Sequence, residues 1–147
     1  MREDIGLYRG KRDNGEWLIG CLVVIDDRAW IAHADPEMTT DEVLEIGLRE
    51  TEVDPETVGQ FTGLQDSNSV DICEGDVLNS ENGTGLRSVV FKEGVFLTRL
   101  IKHMEFTLRS NNLRQLEVIG NIHDNPELWR EDHPTAPTRF EKHEGEV

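Results

Sequence analysis

Basic residues are scarce: 15 Lys and Arg stand against 30 Asp and Glu, a formal net charge of −15 with a pI near 4.6. That deficit argues against wrapping duplex nucleic acid, which takes a surplus of cations to displace the counterions of the phosphates. Cysteine is almost absent. Cys21 and Cys73 have no C-x-x-C spacing and no neighbouring cluster of metal ligands. Each lies in an apolar, strand-like run, so both are expected as buried, reduced thiols. Long hydrophobic runs are lacking as well. The longest uninterrupted one, Cys21–Ile25, is far short of the roughly 20 residues that cross a membrane as a helix. No basic-then-apolar leader opens the sequence, since Met1–Tyr8 is mixed in charge. A cytoplasmic protein without a membrane partner is the expectation, and the sequon at Asn82 then carries no meaning.

What is present suits a polar globular domain. The 147 residues are 36% hydrophobic and 31% charged, and a chain of about 150 residues buries enough surface to fold without staples. The first third, 1–34, reads as a β-meander. Ile5–Arg9, Glu16–Ile25 and Arg28–Ala34 are strand-like, with turns at Asn14-Gly15 and Asp26-Asp27. In the middle run Trp17, Ile19, Cys21, Val23 and Ile25 alternate with Leu18, Leu22 and Val24. Apolar residues on both faces predict a central, sandwiched strand.

Residues 35–56 read as an acidic helical insertion. Thr39 followed by Glu42 is a capping-box signature. Val43, Leu44 and Leu48 form a narrow apolar stripe on a short helix, Asp41–Leu48, which Gly47 weakens. Nine acids and one base give this segment a net charge of −8. From 57 to 129, short apolar runs alternate with Gly, Asp and Asn. Val70–Leu78 bends at Gly75, Glu93-Gly94 joins a hairpin, and Leu116–Ile122 is a last strand before a helical turn through Trp129. Strands so closely spaced predict a small antiparallel barrel. The segment 130–147 has few bulky apolar residues and is expected to be a disordered tail.

No constellation in this pattern carries a reaction. His123 with Asp124 and Glu127 does not have a metal-ligand spacing, and Gly83-Thr84-Gly85 is not followed by the Lys-Ser/Thr of a phosphate loop. Glu74 and Asp76 flank Gly75, where a bend and a turn-capping carboxylate explain them. The expectation is no enzyme, no metal and no cofactor.

Three blocks nevertheless name a family. Leu7-Tyr8-Arg9-Gly10-Lys11-Arg12 with Asn14-Gly15-Glu16-Trp17 comes first. Val53–Asp66, running on to Ile72-Cys73-Glu74-Gly75-Asp76-Val77, comes second. Glu117-Val118-Ile119-Gly120-Asn121-Ile122-His123-Asp124-Asn125-Pro126-Glu127-Leu128 comes third. In this order the sequence resembles the YopX family of phage and prophage proteins, over a domain of residues 5–129. The resemblance implies a mainly β chain whose C-terminal half is SH3-like, and a phage or prophage gene in a bacterial host. It implies no reaction. Small barrels serve peptide binding, nucleic-acid binding and assembly alike.

Charge is segregated. Against the acidic 35–56 segment, residues 87–114 hold six bases and two acids, a net of +4. The expected role is therefore a non-enzymatic accessory protein that acts by protein binding or self-assembly. Val43, Leu44 and Leu48 would form the centre of a homo-oligomer contact, with Arg99 and Arg109 on the opposing copy. The alternative is an acidic, DNA-mimic-like regulator that occupies a basic nucleic-acid-binding protein. Duplex DNA itself is not an expected partner. An anisotropy titration near physiological salt should show no saturable binding in the micromolar range.

Overall fold

The structure, a computed structural model, describes residues 7–35, 37–80, 85–100, 105–109 and 115–128. The predicted tail, residues 81–84 and the start of the first predicted strand at Ile5 lie outside them. The described residues are mainly β, in antiparallel sheets, with a single α-helix. They fall into two compact units, one of residues 6–60 and one built chiefly from residue 61 onward.

The first unit holds β1 (Tyr8–Lys11), β2 (Trp17–Ile25), β3 (Arg28–His33), α1 (Thr40–Ile46) and most of β4 (Arg49–Gln65). The turns are as the sequence predicts: Gly15 at φ 88° and Asp26 at φ 55° reverse the chain. β2 pairs with β1 through Trp17–Gly20 and with β3 through Cys21–Ile25. β3 pairs with β4 over Arg49–Val53, and β1 pairs with β4 at Asp54, Gly59 and Gln60. The pairing β1-β2-β3-β4 thus returns to β1. So few strands leave little room inside. Ala29, Ile31 and Val53 are buried there. A Cβ on Gly10 would sit 2.6 Å from Val53 Cγ2, and one on Gly20 would run into the carbonyl oxygen of Ala32. The β1–β4 register shifts between Arg9 and Lys11. There Thr57 Oγ1 accepts from the Lys11 amide (2.8 Å) and donates to the Asp54 carbonyl (2.6 Å). Pro55, which has no N–H to give a ladder, is accommodated at this irregularity.

Several expectations need correction here. The acidic segment is helical only over Thr40–Ile46; from Arg49 it is strand, because β3 offers it an antiparallel edge. The strand that starts at Arg49 runs on through residue 57 to Gln65. Gly47 does not weaken the helix from within. At φ 96° it caps the helix, its amide donating to the Val43 carbonyl at 2.8 Å. Finally, β2 is central in its pairing but not sandwiched: Ile19 is 54% and Ile25 58% exposed. Cys21 shares their face and is exposed, whereas Cys73 is buried as predicted.

The second unit contains β5 (Asp71–Cys73), β6 (Asp76–Ser80), β7 (Leu86–Lys92), β8 (Val95–Arg99), β9 (Glu105–Thr107) and β10 (Leu116–Asn121). Its sheet runs β10-β6-β7-β8-β9, and β5 pairs with the end of β4. Ile72, Leu78, Val89, Leu108 and Leu116 form its core, with Leu64, Phe96 and Val118 packed against them. Gly75, at φ 95°, makes the bend expected of it, and Asp76 Oδ2 accepts from the Cys73 amide at 2.8 Å. Glu93 (φ 52°) and Gly94 (φ 80°) form the hairpin turn. Gly120 lies against Asn125, whose carboxamide occupies the place of a Cβ. The buried carboxylate of Asp66 organises the following loop. Oδ1 accepts from the amides of Asn68 (2.8 Å) and Val70 (2.9 Å), and Oδ2 from that of Val118 (2.8 Å).

These contacts set two expected stabilities. Asp66→Ala orphans three amides at about 1–3 kcal/mol each when buried, so a loss of about 3 kcal/mol or more is expected. Gly20→Ala should cost about 1–3 kcal/mol by overpacking. Urea titrations followed by circular dichroism measure both.

Candidate interaction surface

α1 is built as its sequence directs. Thr39 Oγ1 accepts from the Glu42 amide at 3.3 Å, and Glu42 Oε2 accepts from the Thr39 amide at 2.7 Å. Asp41 and Glu42 sit in the first turn, where the helix dipole favours negative charge. Asp35 and Arg49, at 3.4 Å, tie together the loops that enter and leave the helix.

The apolar side chains of this segment are open to water. Val43 is half-buried, but Leu44 is 80%, Ile46 76% and Leu48 49% exposed. Ile46 is the residue that sequence reasoning missed. Reading Gly47 as a cap would have ended the helix there and put Leu48 beyond it. Asp41, Glu42, Glu45 and Glu50 are exposed around these side chains. Along β4, Glu50, Glu52 and Asp54 continue the acidic surface at every second position, about 6.6 Å apart, and Glu56 is exposed beyond the irregularity.

Two of these carboxylates are engaged, Asp54 through Oδ1, which accepts from the Glu56 amide at 3.0 Å, and Glu52. Glu52 accepts from Arg28 on β3, and the Arg28 guanidinium lies 5.1 Å from the Trp30 ring centroid. The hydrogen bond from Arg28 holds the Glu52 carboxyl below the ordinary carboxylate range and raises the Arg28 guanidinium. Both groups are exposed, so the pair adds little to stability.

The basic residues of 87–114 are arranged differently from the expectation. Arg99 is buried at 8% exposure, its Nε (3.1 Å) and Nη2 (2.8 Å) donating to one oxygen of Glu105. It is therefore not presented to another copy: β8 and β9 pair Arg99 directly with Glu105 and turn both side chains to the same side. Lys92 Nζ reaches the other Glu105 oxygen at 3.6 Å. Arg109 is exposed, while Lys102 and Arg114 lie outside the described residues.

A further feature of the first unit was not foreseen. An open cleft of about 900 Å³ is lined by Lys11, Arg12, Asp13, Asp27, Arg28 and Asp54, among others. Its charges are mixed, and Arg12 is bonded to Glu16 at 2.8 Å. No three of His, Cys, Asp or Glu converge among the described residues. His33 Nε2 lies 3.0 Å from Thr51 Oγ1, and the His123 amide donates to Asn121 Oδ1.

The Arg99 hydrogen bond is the main cause of a Glu105 pKa below the ordinary glutamate value. Folding therefore favours the ionised form. The stabilisation is complete above the unfolded-state pKa and is lost as pH falls through the lower folded-state value. Glu105→Gln should lower the melting temperature at pH 7, and the gap to the wild type should close on acidification.

The chain's fold is similar to the crystal structure of protein EF1440 from Enterococcus faecalis, with a TM-score of 0.53 and 20% sequence identity. The match covers 84% of this chain and 96% of that one. No curated protein matches the sequence. No described helix is long and apolar enough to cross a membrane. The sequence follows the model of the YopX protein family from residue 8 to residue 130, through all three blocks singled out above, and the chain belongs to that family.

Proposed function

We propose that this YopX protein is a non-enzymatic accessory protein of a phage or prophage, working in the host cytoplasm by protein binding and self-assembly. The observation that carries the proposal is the exposure of three apolar side chains in and just after α1, Leu44, Ile46 and Leu48, along a segment whose carboxylates are exposed as well. Exposed apolar side chains grouped within a charged rim are characteristic of protein contacts. A basic protein partner suits that rim, and Arg109 of another copy supplies one such charge in a homo-oligomer. Arg99 has no part in it. The role of the second sheet is to be a rigid scaffold, curled into an SH3-like barrel at the β10 bulge around Ile119 and the bend at Gly75.

Light scattering at low and high salt tests the assembly. A mass above 16.7 kDa that falls with salt and with Leu44→Asp is expected. A mass of 16.7 kDa under all conditions would sink the oligomer.

The evenly spaced carboxylates of β4 favour a second possibility, a DNA-mimic-like regulator of a nucleic-acid-binding protein. Competition decides it. Duplex DNA should displace this chain from a basic protein captured from host lysate if the carboxylates stand in for phosphates.

A further inference from the structure

We propose that the outward face of the β2–β3 hairpin is self-complementary and packs against the same face of a second copy of this chain. Residues opposed across an antiparallel pair point to the same side. The register therefore sets Trp17, Ile19, Cys21, Val23 and Ile25 of β2 on one face, beside Trp30 and Ala32 of β3. Across the β1 pairing, Arg9 opposes Ile19 and Lys11 opposes Trp17. Across the β4 pairing, Glu52 opposes Trp30 and Glu50 opposes Ala32. The face is thus an apolar stripe with a basic flank on β1 and an acidic flank on β4, where Arg28 of β3, opposite Ile25, already engages Glu52 and leaves Glu50 to meet a partner's cation.

The stripe is open to water. Ile19 and Ile25 are 54% and 58% exposed, Cys21 is exposed, and Trp17, Val23 and Trp30 are half-buried. Its basic flank is held in place, with Arg9 at 5.0 Å and Lys11 at 5.9 Å from the Trp17 ring centroid. The order of charge selects the symmetry. A two-fold axis parallel to β2 turns the face over so that each β1 flank meets the partner's β4 flank, twice. A two-fold axis in the same plane but across the strands would set like charge on like. An isologous contact of the first kind closes at two copies.

The footprint decides its strength. Nine residues of β2 at about 3.3 Å, across four strands at about 4.8 Å, set an upper bound of about 500 Å², because β1 and β4 curve away where the ring closes. A standard interface buries about 800 Å² per partner. The dimer is therefore weak, reversible and dependent on concentration. It deepens the self-assembly proposed above, yet uses none of the α1 side chains, so the two contacts fail separately.

The experiment uses the full chain. Sedimentation equilibrium at low salt should show the mass rising from 16.7 kDa toward twice that value with concentration. Ile19→Asp/Ile25→Asp, two positions already exposed, should stay at the monomer mass when combined with Leu44→Asp, which removes the α1 contact, with an unchanged circular dichroism spectrum. Glu50→Lys should weaken the dimer at least tenfold, and Leu44→Asp should leave it intact. A short bis-maleimide gives a second, mutation-free measure. Cys73 is fully buried, so Cys21, near the centre of the stripe, is the reactive thiol. The wild type should be captured as a covalent dimer and Cys21→Ser should not. A monomer at every concentration would overturn the proposal. So would an assembly lost in Leu44→Asp but kept in the isoleucine variants, which would leave α1 as the contact. Saturable quenching of tryptophan fluorescence by oligothymidine, with no cross-linked dimer, would assign the face to single-stranded nucleic acid instead.

Discussion

Seventeen consecutive strand residues in β4 impose one demand: each amide and carbonyl along Arg49–Gln65 must find a partner or face water. β4 meets it by changing neighbours. It pairs with β3 over Arg49–Val53, with β1 from Asp54 to Gln60, and with β5 from Phe61. Each change is marked by an irregularity with its own hydrogen bonds, Thr57 at the first and Thr62 at the second. Thr62 Oγ1 donates to the Ile72 carbonyl at 2.9 Å and accepts from the Leu64 amide at 3.1 Å. β4 is thereby a member of both units, and the ring of pairings in the first unit cannot form without it.

Closing a ring with so few strands constrains the interior by volume. Gly10 and Gly20 are inward positions where a methyl group has no space. Ile31 and Val53 take up the inside, while Ile19 and Ile25 on the outer face remain more than half exposed. The same strands carry the charge, with Arg9 and Lys11 on β1 and Glu50 and Glu52 on β4. An apolar, doubly flanked outer face is thus a by-product of a narrow inside. In the second unit, by contrast, charge is consumed locally. Glu105 engages Arg99 and Lys92, so much of the apparent basic excess of 87–114 is unavailable to a partner.

Local chemistry made several elements legible. The capping box at Thr39 and Glu42, the positive-φ turns at Gly15 and Glu93-Gly94, the bend at Gly75 and the close approach at Gly120 each rest on residues a few positions apart. The errors share a cause at longer range. Acidic residues 49–56 have poor strand character alone and became strand because β3 presented an edge. Cys21 lies in an apolar run, but only the unit as a whole decides whether a layer covers that run. Of the candidate interface, Leu44 and Leu48 are exposed as a contact requires, while the fate of Arg99 depended on Glu105, six residues away across a strand pair.

By itself the sequence determined the family, the mainly β class, the boundaries of most strands and the excess of negative charge. These follow from short-range periodicity, turn residues and composition. Only the tertiary structure decided which apolar faces stay open, which charges are spent within the chain, and that β1 and β4 join to complete a ring. Those outcomes depend on pairings across strands, from Arg99 with Glu105, six positions apart, to Tyr8 with Gln60, some fifty apart. Alternation along a strand marks two faces, but burial of either depends on what the rest of the chain brings to it.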